Sequence, residues 1–297
     1  MLCTVLWGLC LPPVITKNLY YPTTSSSHMR SRIKDVKSQG NADILFIGSS
    51  HAYRSFDTRI FEANGINTFN LGSSAQSPIQ TNILVNRYLA LLKPKLVVFE
   101  VYPLTFFGDG VESALDLIAN DKIDMATIKM ALKLNNMRVY ITLLYGLFRN
   151  IFSLDRHIEE DIHIGTDTYI KGGFVEKDSK VYSEDDHPWP SKTWEFNQSQ
   201  MDVFENIVTR VKESNIDIVL VQAPFISQRY NSYSNNAEVD NYFKSLGSYY
   251  NFNKIINFPS HEYFFDSHHM NQKGVAIFNN ELIKILKNEK TLKNRIF

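Results

Sequence analysis

The feature that most constrains this chain is a repeated pairing. A short, continuously apolar run is followed by a longer stretch whose apolar residues recur every three or four positions. Residues 43–48 (DILFIG), 95–101 (KLVVFEV) and 217–222 (DIVLVQ) are runs of the first kind, and 67–71 (NTFNL) reads as a further short strand, so the four runs in chain order are 43–48, 67–71, 95–101 and 217–222. A strand that is apolar without alternation is buried on both faces, the condition met inside a parallel sheet covered by helices. Between the second and third runs, Leu84, Tyr88, Leu91 and Leu92 predict the buried face of a helix that stops before Pro94. Phe204, Ile207, Val208 and Val211 predict a second such face, and Phe278, Leu282, Ile285 and Leu286 a third, in a helix starting near Gln272. Residues 254–258 (KIINF) read as a fifth strand. Strands and helices alternating at these lengths predict a three-layer, flavodoxin-like α/β/α fold with a mostly parallel five-stranded sheet.

Residues 104–199 interrupt this rhythm and are far longer than an ordinary crossover. They predict two helices, 111–134 and 137–152, then an irregular polar and aromatic tract containing Trp189 and Trp194. Such an insertion would serve as a lid or substrate platform. The chain therefore divides into an apolar segment, 1–22, and one catalytic-type domain, 23–297, interrupted at 104–199.

Composition excludes several classes. Lysine plus arginine, 31, equals aspartate plus glutamate, 31, so no overall field steers the chain toward nucleic acid. Cys3 and Cys10 are the only cysteines, which removes a disulfide framework, a thiolate metal cage and a cysteine nucleophile from the body. The apolar start ends at Pro12-Pro13, short of the roughly twenty residues a membrane span needs. Lys17, Arg30, Arg32 and Lys34 follow it, which favours a cytoplasmic body by the positive-inside rule. An anchor whose beginning lies further upstream reverses that reading, and a membrane-anchored or cell-envelope location outside the cytoplasm is the expectation kept, with membrane association through the apolar segment.

Chemistry concentrates at the ends of the predicted strands. Gly48-Ser49-Ser50-His51 follows the first, where a sharp turn into a helix exposes a serine hydroxyl and its amide. Gly72 follows the second, Glu100 and Tyr102 end the third, and Asp266 and His269 follow the last. In open parallel sheets, ligands bind outside this carboxyl edge. A serine needs a base to take its proton, and the base needs a partner that fixes its tautomer; Ser50, His269 and Asp266 fit those roles.

The segments ILFIGSSHAYRSFD (44–57), FNLGSSAQS (69–77) and FDSHHMNQKG (265–274) resemble, in order, the first, second and last blocks of the SGNH (GDSL-like) hydrolases. The resemblance covers roughly residues 41–107 and 214–287 and implies Ser50 as nucleophile, His269 as base, Asp266 as its orienter, and the amides of Ser50 and Gly72 as oxyanion donors. It implies no metal and no cofactor, and gives His268 no catalytic duty. Two departures stand out. Ser49 occupies the position where GDSL enzymes commonly carry aspartate, and the glycine-x-asparagine of the third block is absent, its place taken by Phe99-Glu100-Val101-Tyr102-Pro103. This pattern is similar to bacterial envelope members that handle O-acyl groups on polysaccharides. The expected activity is that of a serine esterase or O-acyltransferase, with an acylated carbohydrate or another small ester as substrate. The alternative is a catalytically silent member that binds glycan or serves in envelope assembly.

Other features read more plainly. Residues 184–187 (EDDH) are a solvated loop rather than a metal site, since consecutive residues seldom converge on one ion. Trp189, Trp194, Tyr169 and Phe174 hold the insertion to the body rather than stack on sugars, helix 137–152 packs rather than faces a membrane, and Gly108-Asp109-Gly110 is a turn.

Overall fold

The computed structural model describes residues 27–153, 159–177, 181–183, 189–258 and 261–288. In chain order the elements are α1 (Met29–Gln39), β1 (Ile44–Ile47), α2 (Ser50–Ser55), α3 (Thr58–Glu62), β2 (Thr68–Asn70), α4 (Pro78–Leu92), β3 (Leu96–Glu100), α5 (Leu104–Phe107), α6 (Val111–Asn120), α7 (Met125–Leu134) and α8 (Met137–Phe152). They continue with β4 (His163–Ile164), β5 (Asp167–Ile170), β6 (Phe174–Lys177), α9 (Gln198–Glu213), β7 (Asp217–Gln222), α10 (Ser227–Asn231), α11 (Asn236–Leu246), β8 (Ser248–Asn251), α12 (Phe252–Ile255) and α13 (Gln272–Asn288).

The main sheet has five parallel strands in the order β2-β1-β3-β7-β8. Strand alternation splits its side chains between two cores. Leu45, Ile47, Val97 and Phe99 face α1, α4, α9 and α11, while Ile44, Phe46, Leu96 and Val98 face α2, α3, α12 and α13. Both faces are covered, which is why β1, β3 and β7 read as apolar runs without alternation. The order reverses between β1 and β3, so the carboxyl ends of these strands flank the crevice where such sheets bind ligands.

Four sequence expectations are corrected. The fifth strand is Ser248–Asn251, not 254–258; Asn251 accepts the Asn253 amide and turns the chain into α12. Leu91 is exposed, because α4 buries Leu84, Tyr88 and Leu92 and turns residue 91 outward. The helix expected over 111–134 is two, α6 and α7, broken at Asp121 and restarted by a capping box between Asp124 and Thr127. Arg87 holds the break, with Nη1 2.7 Å from Asp121 Oδ2 and Nη2 2.8 Å from Asp124 Oδ1. The tract expected to be irregular contains a three-stranded antiparallel sheet, β4-β5-β6.

That small sheet is tied to the main one. Arg54 of α2 makes two hydrogen bonds to Asp167, at 2.9 and 3.0 Å, with both side chains buried. The Asn70 amide donates to Gly172 O at 2.8 Å, and the fully buried Arg32 donates from Nη2 to Gly173 O at 2.8 Å. A Cβ on Gly173, whose φ is +99°, would lie 2.1 Å from Asn70 O. Gly173→Ala should therefore lower stability by about 3 kcal/mol, read as a shift in the urea midpoint at unchanged slope. A shift below about 0.5 kcal/mol would show that the two sheets are not held at this point.

On the other flank, α8 packs Val139, Leu143 and Gly146 inward, in line with the packing role expected, while Met137, Leu144, Ile151 and Phe152 are exposed on its opposite face. No helix among the described residues is long and apolar enough to cross a membrane.

Candidate active site

The turn after β1 is built by three residues. Gly48 has φ +138°, and a Cβ there would meet Glu100 O at 2.8 Å, so only glycine lets β1 pass β3 at this point. Ser49 caps α2, its hydroxyl accepting the His51 amide at 3.2 Å. Ser50 is thereby the first residue of α2, where a helical amide has no partner within its own helix.

From the far end of the chain, the loop before α13 brings Asp266 and His269. Asp266 Oδ1 accepts the amides of His268 and His269, each at 2.8 Å, closing a tight turn. Its other oxygen lies 2.8 Å from His269 Nδ1, and His269 Nε2 lies 2.9 Å from Ser50 Oγ. The structure thus brings Ser50, His269 and Asp266 into one hydrogen-bonded line across 219 residues of sequence. Burial alone would raise the Asp266 carboxyl, but the hydrogen bond and charge of His269 hold it well below the usual carboxylate range. Burial lowers His269 against the opposing pull of Asp266, so its imidazole is neutral at neutral pH. With Nδ1–H donating to Asp266, the Nε2 lone pair faces the serine hydroxyl.

The base is also clamped by rings. His269 stacks on Phe265 with centroids 5.3 Å apart and planes 2° from parallel. Arg54 and Lys177 sit over Phe265 at 5.6 and 5.3 Å, which carries the inserted sheet to the back of the base.

Ser50 opens onto a cleft of about 350 Å³ lined by Ser74, Ala75, Tyr102, Leu104, Glu112 and His268, among others. Gly108, Asp109 and Gly110 belong to its wall, with Asp109 accepting the Val111 amide at 3.0 Å to start α6.

The amide of Gly72, implied as an oxyanion donor, donates to Asn70 Oδ1 at 3.0 Å. Glycine is required there for space, since a Cβ would lie 2.8 Å from Ala52 Cβ and 2.9 Å from Ser49 O.

In the place of the absent glycine-x-asparagine, β3 ends in Glu100, which is buried, and Tyr102 follows at the cleft. Tyr102 packs against His51 with ring centroids 3.9 Å apart and planes tilted by 39°, and its hydroxyl accepts from Arg229 Nη2 at 3.1 Å. Burial pushes the Glu100 carboxyl up to about 8, an effect that the Ser49 hydroxyl and nearby amides only partly offset. His51, His268 and Arg229 were not expected at the site from sequence. His51 stood beside Ser50 in GSSH, and His268 beside His269, but neighbours on a helix or turn point in different directions, and only the fold shows which way. Arg229 carried no signal at all.

His51, His268 and His269 are also a group of potential metal ligands, with nitrogens within 4.8 Å of one another. Each is already committed to a hydrogen bond, His269 to Ser50 and Asp266 and the other two to each other at 3.3 Å, and two of the rings stack. Trp194, Tyr169 and Phe174 are buried, Trp194 stacked on Tyr233 at 3.4 Å, which bears out their structural role. Trp189 packs on the Arg229 guanidinium at 5.5 Å. Residues 184–187 lie outside those described.

Among the solved structures similar to this one are two from Bacteroides species. One is a proposed acylhydrolase from Bacteroides fragilis, at 13% identity and a TM-score of 0.43, covering 91% of this chain and 99% of that one. The other is a GDSL-like lipase from Bacteroides thetaiotaomicron, at 11% identity and 0.39, covering 91% and 94%. Neither likeness assigns this chain an activity. No family model matches the chain, and no curated protein does.

Proposed function

We propose that this chain is a serine esterase or O-acyltransferase of the SGNH type, working through an acyl-Ser50 intermediate. The observation that carries the reading is the unbroken line from Ser50 Oγ to His269 Nε2, 2.9 Å, and from His269 Nδ1 to Asp266, 2.8 Å. In the first half-reaction His269 takes the Ser50 proton as Oγ attacks the ester carbonyl, then returns it to the leaving alkoxide. In the second, His269 deprotonates water or a sugar hydroxyl as it attacks the acyl-serine, then returns that proton to Ser50 Oγ as the acyl bond breaks. Asp266 keeps the imidazole in the required tautomer and stabilises it when charged. A cleft of about 350 Å³ suits a small acyl group, and hydroxyl and carboxylate side chains at its rim, Ser74, Thr105 and Glu112, suit a carbohydrate that bears it. We therefore place the substrate among O-acyl, chiefly O-acetyl, groups of a carbohydrate such as a cell-envelope polysaccharide.

The engaged Gly72 amide favours a second reading, a silent protein of this fold that binds glycan without turnover. A fluorophosphonate probe separates the two. It should add one mass adduct to the wild type and none to Ser50→Ala, whereas a folded wild-type sample that stays unlabelled would favour the silent reading.

A further inference from the structure

The triad leaves a second polar chain in the site unused. It starts at Glu100, 1% exposed at the end of β3. Glu100 Oε2 lies 3.1 Å from Ser49 Oγ, while Oε1 is buried without a partner. The groups that act on it are the Ser49 hydroxyl and the amides of Tyr102, Ser49 and Ala223; none is a cation. Around it stand the phenols of Tyr102 and of Tyr249 on β8, and His51 on α2, with Arg229 of α10 held off on the Tyr102 hydroxyl. A buried carboxylate with one bare oxygen and no counter-ion is costly to ionise, so the neutral acid persists at neutral pH.

Neutral Glu100 fixes every proton down the line. Its O–H donates to Ser49 Oγ, which also receives the His51 amide at 3.2 Å. With two donors aimed at it, the Ser49 hydroxyl turns its own hydrogen to His51 Nδ1, 3.4 Å away. His51 is then protonated on Nε2 and donates to His268 Nδ1 at 3.3 Å. His268 is left with its hydrogen on Nε2. That atom lies 3.8 Å from Asp266 Oδ1, whose charge favours a proton there, and the ring borders the cleft beside Ser50.

We propose that His268 is a catalytic residue whose Nε2–H hydrogen-bonds the oxyanion formed on Ser50, with Glu100, Ser49 and His51 as the positioning residues that hold it in the donating tautomer. This rests on Ser50 being the nucleophile. It supplies the donor that the Gly72 amide, turned to Asn70, does not. No proton crosses the chain in the reaction; the hydrogen bonds only fix polarity. When Glu100 ionises, each bond reverses: Ser49 donates to the carboxylate, His51 donates from Nδ1, and His268 donates from Nδ1 to His51. A lone pair then faces the oxyanion and repels it.

Two measurements test this. In background-corrected hydrolysis of p-nitrophenyl acetate, His268→Ala should lower kcat/KM about 100-fold at pH 7. Wild-type kcat/KM should fall at least tenfold between pH 7 and pH 9.5. Glu100→Leu should lose activity at pH 7, and Glu100→Gln, whose amide donates to Ser49 at any pH, should restore most of it and abolish the alkaline fall. His268→Ala activity within twofold of wild type, or an alkaline fall unchanged in Glu100→Gln, would overturn the proposal. The second readout needs no turnover. Imidazole ¹⁵N spectra of the wild type should show His268 protonated on Nε2 at pH 7 and on Nδ1 at pH 9.5; an Nδ1–H tautomer at pH 7 overturns it. A wild type that resists the fluorophosphonate probe instead removes the nucleophile reading, so the two failures are distinct.

Discussion

Turnover of p-nitrophenyl acetate by Ser50→Ala and by His269→Ala is expected to fall about 10⁴- to 10⁶-fold, with no change in the urea midpoint of unfolding. Removal of either end of a nucleophile–base pair disables the same step, so the Ser50→Ala/His269→Ala double variant should be no worse than either single one. Additive losses would mean that the two side chains do not act as a unit. The same geometry sets the acid limb of the pH profile. His269 titrates below the ordinary histidine value because burial outweighs the pull of Asp266. The unprotonated base therefore persists as pH falls, and kcat/KM should hold to pH values below about 6.5 before it declines. An acid limb centred above that value would contradict a base buried in this way.

The largest expected effect on stability lies at the seam between the two sheets. Asp167→Asn removes the carboxylate that pairs with Arg54 at 2.9 Å and Lys177 at 3.0 Å, and leaves a buried guanidinium facing a neutral amide. Breaking a buried pair from one side costs about 3–5 kcal/mol, whereas replacing both members by apolar residues is far milder. Asp167→Asn should lose that much by urea denaturation, and Arg54→Met/Asp167→Leu should recover a large part of it. A single-variant loss under about 1 kcal/mol would rule the pair out as a fastener. Burial acts to raise the Asp167 carboxyl, but Arg54 and then Lys177 bring it below its ordinary value. The stabilisation is therefore present above about pH 3.9 and is lost as pH falls through the lower folded-state value. Turnover should suffer as well, because Arg54 and Lys177 both lie over Phe265, and Phe265 backs His269. Activity retained in a folded Asp167→Asn protein would show that the base does not depend on the inserted sheet.

The layered fold and the trio of Ser50, Asp266 and His269 were legible in the sequence because each depends on local rules. Continuous apolar runs mark strands buried on both faces, and Ser50, placed just after β1, reaches the carboxyl edge of the sheet whatever the details of packing, whereas Asp266 and His269 lie well beyond β8 and were picked out by the pattern of FDSHHMNQKG. The fifth strand was misplaced by a few residues because Ser248–Asn251 mixes polar and aromatic residues at the edge of the sheet and carries no unbroken apolar run. The break between α6 and α7 is held by Arg87, which comes from a different helix, and β4-β5-β6 is fastened by Arg54 and Arg32 from other elements. Such cross-links leave no periodic trace. The same holds at the site itself. Sequence set Gly72 after the second strand, but whether its amide faces Ser50 or Asn70 is decided by one dihedral and one neighbouring side chain. Sequence likewise set His51 beside Ser50 and His268 beside His269, with Glu100 more than 160 residues from His268. Only the tertiary structure aligns them through Ser49 into a buried chain, because hydrogen bonds between side chains on separate elements are fixed by packing in three dimensions and not by spacing along the chain.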